Sequence, residues 1–559
     1  MEPSTAHLAE VKTIIAGMTP AEKVGQMILS DPRFLETPDD ISRLNLGGIF
    51  VNGGGAPPPN TIESWILLAE IMQQYAHKSS QSIPLLLGTD AVHGHNNLYG
   101  SVLCPHNIGL GAANNAHDVG EIFRNTSLEL AATGFNWNFA PCIAVSDNPR
   151  WGRTYESFSS NTEITSQLGV AAVKGIQTNF GSGKARVLAC AKHFIGDGAT
   201  TDGIDRGNAN IELSELRARF LPPYKASIDA GVGSIMLSYN QWMGTFCHGS
   251  RTLITDLLKH EMGFKGFVVS DWDAIDDLAP EDRFIEALSI SINAGLDMIM
   301  TSRKYKACHA GLLELLDSNE IPISRIDDAV TRILFAKASL GLLDEQKPQL
   351  PSELHIDRKR HQQLARKAVQ ESLVLLKNVN ILPLGSNIKQ IHVCGEFAHD
   401  LGLQCGGWSI TWQGGRGRIT AGTSILEGLR KQASPNMELS YSTDAEIPHG
   451  TDLIIAVAGE YPYAEFHGDS KDLELPPDQT AFLATLHNLN VPVLLILITG
   501  RPLVITQHLD KFEATLVAWL PGSEGDGIAD AVFNQELPKG HLPMDWPNAQ
   551  TITKMASKP

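Results

Sequence analysis

Short apolar runs alternate with longer amphipathic segments through about the first 340 residues, and this rhythm limits the folds open to the chain. The runs have the length of buried strands, and the segments between them have helical periodicity. Strands that alternate with helices predict a parallel sheet, and this many units favour a closed (β/α)8 TIM-like barrel over an open sheet. The predicted strands are 47–51, 84–88, 136–141, 186–191, 233–237, 266–270 and 296–300, and the predicted helices include 62–76, 116–133 and 214–230.

The pattern changes after this region. The stretch GLLDEQKPQLPSEL, residues 341–354, is charged and contains two prolines, which is typical of a linker, and a helix is predicted at 361–377. Strand-like runs then resume at 390–394, 452–458, 491–499 and 514–520. They predict an α/β sandwich with an open, mostly parallel sheet. The predicted barrel, linker and sandwich domain are residues 1–340, 341–364 and 365–559.

Composition excludes several classes of function. The chain has 559 residues, of which 43% are hydrophobic and 19% charged, as in a globular protein of more than one domain. Its net charge of -18 disfavours nucleic acids and anionic membranes as partners, because both need basic surface. Seven cysteines without a CxxC pair predict neither a disulfide framework nor a zinc site. No membrane span or leader is recognised, so we expect a cytoplasmic protein, with the periplasm as the alternative.

Polar residues follow five successive predicted strands. In a parallel barrel the carboxyl ends of the strands meet at the mouth where ligands bind. One such residue is ordinary turn chemistry, and Asp271 alone could equally cap the next helix. Five strands that end this way predict a shared site. The residues concerned are Asp90, His93 and His95, then Arg150, Arg153 and Glu156, then Lys192, His193, Asp197, Asp202 and Asp205, then Ser238, Tyr239 and Asn240, and finally Asp271.

The types of these residues indicate the ligand. The histidines lack an HxxxH or HExxH pair on a helix, so we predict no metal and no other cofactor. Lys192 lies among many carboxylates and is more readily a charge-paired donor than a Schiff-base lysine. Acidic and basic side chains can hold hydroxyl groups through charge-assisted hydrogen bonds, while Trp272 can stack on an apolar face. A ligand with both features is a sugar.

Four motifs occur in a fixed order along the chain: GTDAVHGHNN at 88–97, NPRWGRTYES at 148–157, KHFIGDGATTDGIDRG at 192–207 and GFVVSDWDAID at 266–276. Together they resemble glycoside hydrolase family 3, especially its branch of two-domain β-glucosidases and exo-β-glucanases. The resemblance implies that Asp271 is the nucleophile. It also implies that the −1 subsite is formed by Asp90, Arg153, Lys192, His193 and Tyr239.

A retaining glycosidase also needs a protonated carboxyl, about 5 to 5.5 Å from the ionised nucleophile. We expect Lys192 and Arg153 to hold Asp271 ionised. The barrel candidates for the acid are Glu156, Asp197 and Asp202, but none of them resembles the acid of the family.

The second domain offers two further carboxyls past one strand, Glu460 and Glu465. The resemblance implies that Glu465 is the general acid/base, and Glu460 is the alternative. An acid that comes from another domain can lie in a closing, water-poor cleft. The resemblance also places Trp412 opposite Trp272 across the +1 subsite.

One departure from the family pattern narrows the choice among the branches of the family. The β-N-acetylglucosaminidases resemble KHFPGHGxxxxDxH, whereas Asp197 and Ile204 occupy the places of the two later histidines here. We therefore predict a retaining exo-β-glucosidase, in which Asp90 binds the terminal 4- and 6-hydroxyls and makes the −1 site a blind pocket. A β-xylosidase, a β-N-acetylglucosaminidase, a phosphorylase and a noncatalytic sugar-binding protein are the alternatives, and the linkage preference stays open.

Overall fold

The computed structural model describes residues 5–178, 187–344, 357–534 and 536–547. Its first domain contains eight parallel strands, and its second domain contains a separate six-stranded sheet. The predicted fold class is therefore confirmed. Among the described residues, no helix combines the length and the apolar composition that crossing a membrane requires.

Parallel pairing connects the eight strands of the first domain in chain order. The last strand returns to the first, where Ile299 is in register with Ile28. The barrel closes at the parallel bridge between Val269 and Met298. The strands β1 to β8 are Ile28–Ser30, Gly48–Phe50, Leu86–Thr89, Trp137–Asn138, Leu188–Phe194, Ser234–Leu237, Phe267–Val269 and Ile299–Thr301.

Aromatic side chains fill the barrel beneath its mouth. The ring of Trp137 meets the edges of Phe139 and Phe267 at centroid distances of 4.8 and 5.1 Å. Gly88 leaves room for this cluster, because a Cβ atom there would lie 2.4 Å from the Phe139 ring. The barrel interior is thus a packed core, and ligands are confined to the mouth.

Helices surround the barrel, and side-chain caps begin several of them. Thr61, Asn115 and Asn161 each accept a backbone N–H of the first helical turn. The helices are Thr5–Gly17, Pro20–Gln26, Asp40–Arg43, Ile62–His77, Asn107–Ala113, Ala116–Ala132, Thr162–Ile176, Leu213–Glu215, Leu216–Phe220, Leu221–Asp229, Thr252–Glu261, Phe284–Ala294, Tyr305–Asp317 and Ile323–Ser339. Of these, Leu216–Phe220 and Thr252–Glu261 are π-helical.

The second domain has a six-stranded sheet, whose strands β9 to β14 are Val374–Asn378, Gln390–Cys394, Glu438–Ser442, Leu453–Gly459, Val493–Ile498 and Ala514–Trp519. The order of the sheet is β9-β14-β13-β12-β10-β11. Among these described strands, only the edge strand β9 is antiparallel to its neighbour. The helices are Arg358–Ser372, Leu401–Cys405, Ile425–Gln432, Pro477–Thr485, Thr506–Leu509 and Asp526–Phe533.

Two local predictions differ from the structure, and parts of two others lie outside the described residues. The helix expected at 361–377 ends at Ser372, and Val374–Asn378 is a strand because it pairs with β14 at the sheet edge. Strand β5 continues to Phe194, so Lys192 and His193 belong to the strand rather than to the loop after it. Residues 345–356 of the expected linker lie outside the described residues, as does Arg186 of one expected strand.

Loops of the second domain lie across the barrel mouth. The N–H of Ile410 donates to the carbonyl of Asn96 at 2.8 Å, and the N–H of Ser470 donates to the carbonyl of Arg150 at 2.9 Å. The buried Arg501 also donates to the carbonyl of Pro149 at 3.0 Å. These contacts close a space between the barrel strands and the second domain.

Candidate active site

A cavity of about 380 Å³ occupies this space. All nine predicted site residues line it, and they are Asp90, Arg153, Lys192, His193, Tyr239, Asp271, Trp272, Trp412 and Glu465. The remaining lining residues are Arg33, Phe50, Asn52, Gly53, Phe139, Arg206, Met236, Met300, Trp408 and Phe466. The cavity has the size and the mixed polar and aromatic lining of a small-ligand site.

A buried ion pair lies at the end of β5. Lys192 Nζ donates to Asp90 Oδ1 at 2.7 Å, and the lysine side chain is 2% exposed. Burial lowers the pKa of Lys192, but the charges of Asp90 and Glu156, together with the hydrogen bond to Asp90, outweigh it and raise the pKa above its usual value. Lys192 is therefore charged, and the ion pair can form charge-assisted hydrogen bonds with hydroxyl groups.

Arg153 connects the carboxylates of the site. Its Nε and Nη2 atoms both donate to Glu156 at 2.9 Å, and Nη1 lies 3.5 Å from Glu465 Oε1. Trp408 Nε1 also donates to Glu156, at 3.2 Å. Glu156, one of the barrel candidates for the acid, is thus held in a structural ion pair behind the cavity lining.

His193 is a neutral hydrogen-bonding group. Burial and the charges of Arg153 and Lys192 hold its pKa well below the usual value. Its Nδ1–H donates to Asp197 Oδ2 at 3.0 Å, which leaves Nε2 to accept from Arg153 Nη2 at 3.1 Å. Burial raises the pKa of Asp197 to about 7. Asp197 therefore orients the imidazole and lies behind it.

One group of side chains in the described ranges has the composition of a metal site. Atoms of Cys142, His193 and Asp197 lie within 4.8 Å of one another. Burial raises the pKa of the Cys142 thiol far above its usual range, and a protonated thiol is a poor metal ligand. His193 Nδ1 is occupied by Asp197. A hydrogen bond joins His193 to Asp197, and Cys142 lies beside them because it forms a parallel β-bridge with Lys192.

Asp271 lies two residues past the end of β7 and faces the cavity. Its N–H donates to His248 Nε2 at 3.0 Å, and its Oδ1 accepts from the N–H of Trp272 at 2.7 Å. Its Oδ2 lies 3.8 Å from His193 Nε2. The side chain therefore turns toward the other site residues and bonds to the adjacent backbone.

The charge state of Asp271 reflects opposing effects. Burial and then the nearby Glu465 raise the pKa of Asp271 to about 6, whereas Arg153, the Trp272 N–H and Lys192 act in the opposite direction. Arg153 and Lys192 thus favour the ionised form, as expected, although burial and Glu465 leave the pKa above the usual aspartate value. With a pKa of about 6, the carboxyl is largely ionised at neutral pH.

Glu465 begins the 3₁₀ turn Glu465–Gly468 of the second domain, past the end of β12. Its Oε2 accepts from Arg206 Nη2 at 2.7 Å. Its backbone has a φ of 54°, a strained value for a residue with a side chain. The barrel supports this conformation, because Gly152 brings its Cα against the Glu465 carbonyl where a Cβ would be only 2.0 Å away.

Glu460, the alternative to Glu465, is bonded away from the site. Its Oε2 accepts from Tyr463 Oη, Thr499 Oγ1 and the Gly500 N–H, and its Oε1 lies 3.1 Å from Arg501. It is not among the described residues that line the cavity. The four partners fully occupy the carboxylate, so its position is structural.

Aromatic rings and one guanidinium group form the rim. Trp272 packs edge-on against Phe50 at 5.1 Å, and Trp412 packs against Phe466 at 5.9 Å. Arg206 lies over the ring of Tyr239 at 4.0 Å. Arg206, Phe466 and Trp408 were missed as site residues, although Arg206 lies in the motif at 192–207 and Phe466 directly follows Glu465.

The other polar residues after the strands support the loops. His93 Nδ1 donates to the Cys104 carbonyl at 2.9 Å, and His95 Nε2 contacts Thr133 Oγ1 at 3.2 Å. Asp205 accepts from Trp151 Nε1 at 2.9 Å. Arg150 lies 3.8 Å from the exposed Asp202, and the Asn240 amide donates to the Gln241 carbonyl at 2.8 Å. These residues brace the site from outside.

A polar pocket rimmed by indole rings is suited to a sugar, and a barrel that meets carboxylates of a second domain at its mouth has the architecture of a glycoside hydrolase. Comparison with known families identifies the family within this class. Residues 19–336 match the model of the glycosyl hydrolase family 3 N terminal domain, and residues 373–558 match that of the C-terminal domain. The chain belongs to glycosyl hydrolase family 3, and it is a glycosidase.

Relatives of known activity agree with this membership. The lysosomal beta glucosidase of Dictyostelium discoideum is 32% identical over 96% of this chain and 72% of its own length. A variant of the exo-1,3/1,4-beta-glucanase from a Pseudoalteromonas species has a TM-score of 0.92 and 38% identity, covering 98% of this chain and 92% of its own. The beta-glucosidase of Listeria innocua, solved with isofagomine, has a TM-score of 0.84 and 26% identity, covering 96% and 76%.

Proposed function

We propose that the protein is a retaining exo-β-glucosidase that removes terminal glucose from the non-reducing ends of short β-glucosides. The observation that carries this proposal is the meeting of Asp271, from the barrel, with Glu465, from the second domain, in one cavity. We further propose that residues 1–340 supply the nucleophile, that 365–559 supply the acid/base, and that 341–364 connect them. The activity of the named relatives supports the substrate class.

The reaction begins with the ionised Asp271. Its carboxylate attacks the anomeric carbon while Glu465 gives a proton to the glycosidic oxygen, so the bond between these two atoms breaks and the aglycone leaves as an alcohol. A covalent glucosyl ester of Asp271 remains. In the second step Glu465, now a carboxylate, takes a proton from water, and the oxygen of that water attacks the same carbon. The ester bond breaks and glucose is released with its original anomeric configuration.

Two groups of cavity residues are suited to bind the sugar rings of the proposed substrate. Asp90 and Lys192 are a charged pair within the cavity, and we propose that they hold the terminal hydroxyls of glucose in the −1 subsite together with Arg153 and His193. Tyr239 lines the same subsite in this proposal. Trp272 and Trp412 then stack on the sugar in the +1 subsite, where both line the cavity.

The relatives suggest which linkages to try first. The neighbour from Pseudoalteromonas is named for 1,3 and 1,4 linkages, and the Listeria enzyme was solved with glucose and, as a variant, with laminaribiose. We propose short β-1,3- and β-1,4-linked gluco-oligosaccharides as substrates. A β-xylosidase is the second candidate, because a relative of that name from Formosa agariphila is 29% identical over 86% of this chain.

The alternatives that use other chemistry receive less support. Asp197 is committed to His193. Counted from Lys192, Gly203 and Asp205, rather than Ile204, stand where the β-N-acetylglucosaminidase pattern has its last Asp and His, so that Asp–His pair has no counterpart here. A cytoplasmic location stays a prediction, since relatives are named lysosomal and periplasmic.

The proposal is tested with p-nitrophenyl β-glucoside, β-xyloside and β-N-acetylglucosaminide. We expect the glucoside to react fastest, Asp271→Asn to abolish turnover, and azide to rescue Glu465→Gln with formation of β-glucosyl azide. Asp202→Asn is the matched control, because that side chain is 60% exposed. NMR of the first product should show the β anomer. Full activity in either active-site variant, an α product, or turnover that requires phosphate would contradict the proposal.

A further inference from the structure

Arg206 is a charged cavity residue that has no role in the proposed reaction. It lies near the end of the long motif after β5, and its Nη2 donates to Glu465 Oε2 at 2.7 Å. The planar guanidinium lies 4.0 Å from the Tyr239 ring and 4.9 Å from the Phe466 ring. About a third of the side chain is exposed, so the group lies at the cavity rim.

Two cations contact the Glu465 carboxylate directly. Arg206 contacts Oε2, and Arg153 Nη1 lies 3.5 Å from Oε1. The anionic neighbours are Asp271 and Asp205, each of which interacts electrostatically with Glu465.

Two phenol groups, those of Tyr239 and Tyr155, also interact electrostatically with this carboxylate. Burial raises the pKa of both phenols, so they are neutral. Arg153 donates hydrogen bonds to both carboxylate oxygens of Glu156. Arg206, in contrast, donates its hydrogen bond to Glu465. Arg206 is therefore the cation whose charge acts chiefly on Glu465.

The contact favours one protonation state of Glu465. A guanidinium group only donates hydrogen bonds, so it needs a lone pair on the oxygen it faces. A proton on Oε2 would point toward the Arg206 donor. The observed arrangement thus suits the carboxylate, which is the form that acts as a base when water attacks, and it opposes the acid that protonates a leaving group.

We propose that Arg206 is a positioning residue that holds Glu465 in its ionised form and thereby sets the alkaline limit of the glucosylation step. The inference rests on the proposed function, because it requires Glu465 to be the acid/base. Glucosylation of a substrate with a poor leaving group needs the proton of Glu465. Loss of the Arg206 charge therefore extends this step to higher pH.

The test compares the pH dependence of kcat/KM for two substrates in three enzymes. Phenyl β-glucoside needs the acid, whereas 2,4-dinitrophenyl β-glucoside releases its phenolate without it. For Arg206→Met we expect the alkaline limb with phenyl β-glucoside to move up by about one pH unit, the size of effect that one adjacent charge has. Arg206→Lys keeps the charge and should retain the limb of the unmodified enzyme. The dinitrophenyl substrate should show no shift.

The matched control is Arg217→Met, because Arg217 forms an exposed ion pair with Glu261 away from the cavity. An Arg206→Met limb that coincides with that of the unmodified enzyme overturns the inference. An equal loss of activity on both substrates at every pH, in a variant that melts normally, also overturns it, since that result assigns Arg206 a packing role.

Glu465→Gln separates failure of this inference from failure of the proposed function. If that variant hydrolyses phenyl β-glucoside normally, Glu465 is not the acid and both ideas fall. If it loses phenyl β-glucoside selectively while Arg206→Met leaves the limb unmoved, only the inference about Arg206 falls.

Discussion

The backbone N–H of Gly152 in the barrel donates a hydrogen bond of 2.9 Å to the carboxylate of Asp469 in the second domain. The other oxygen of that carboxylate accepts from the N–H of Asp205 at 2.8 Å. Asp469 directly follows the turn that begins at Glu465. Two barrel loops thus hold the second-domain loop in place, and contact between the domains determines where Glu465 lies.

Gly152→Ala should disrupt this arrangement. The added Cβ would lie 2.0 Å from the Glu465 carbonyl and 2.9 Å from the Asp469 nitrogen, so the loop must move. We expect kcat/KM for phenyl β-glucoside to fall roughly 100-fold, as a misplacement of about 1 Å can cause. Gly120→Ala is the control, because its Cβ would meet its nearest neighbour at 3.6 Å. Unchanged kinetics in Gly152→Ala would show that the loop adapts without cost.

The acidic limb of kcat/KM for 2,4-dinitrophenyl β-glucoside, which does not need the acid, should report Asp271. Its pKa is raised to about 6, first by burial and then by Glu465, and the carboxyl must be ionised to attack. Activity should therefore fall as the pH drops through about 6. Lys192→Met should move the limb to higher pH, because Lys192 lowers the pKa of Asp271. A limb near the ordinary aspartate value of about 4, measured with a substrate well below KM, would contradict this assignment.

His361→Gln should destabilise the contact between the domains. His361 Nδ1 donates to Glu129 at 3.0 Å, and hydrogen bonds to Cys104 and Glu129 outweigh burial and raise the pKa of His361 to about 10. Loss of one partner of a buried ion pair costs about 3 kcal/mol. Urea unfolding, monitored by tryptophan fluorescence, measures the difference in the free energy of unfolding between the variant and the unmodified protein.

The pH dependence of the loss in unfolding free energy caused by His361→Gln tests whether His361 is charged. Because the folded pKa of His361 is raised, its stabilising contribution is complete below the unfolded value of about 6.5 and is lost as the pH rises through about 10. His449→Gln, at an exposed position, should change little at any pH. A destabilisation that is the same at low and high pH would mean that His361 is neutral.

Trp412→Ala should weaken hydrolysis of disaccharides. Its ring lines the cavity and packs against Phe466 and His467 at 5.9 and 5.5 Å. Stacking on a sugar contributes about 1.4 kcal/mol at most, so kcat/KM for laminaribiose and cellobiose should fall about tenfold. Trp412→Phe should restore most of the loss. Unchanged kinetics for both disaccharides would place the +1 subsite elsewhere.

Much of the fold could be predicted because buried parallel strands need continuous apolar residues. The runs that became β6 and β7 were recognised for this reason, since every residue of both strands is buried. Strand β1, Ile28–Ser30, was missed because it follows the helix Pro20–Gln26 after a single residue, so no turn signal separates the two elements in the sequence. Strand β9 was assigned to a helix because its apolar residues follow Arg358–Ser372 without a breaking residue, and only pairing with β14 makes them a strand.

The predicted barrel residues of the site came together because each follows or ends a barrel strand, and strand ends share one face of the barrel. Arg206 could not be assigned in the same way. Its motif was visible, but its contact with Glu465 joins residues 259 positions apart in different domains. Phe466 was missed for a similar reason, since its ring matters only where it meets Arg206 and Trp412.

The order of residues alone determined the alternation of strands and helices, and with it the barrel and the side chains at its mouth. These features follow from local periodicity, which is visible in the sequence itself. The tertiary structure decided how deeply Asp271 is buried, which cations face each carboxylate and how Gly152 supports Glu465. Charge interactions and desolvation depend on distances through space, and those distances arise only when the two domains pack together.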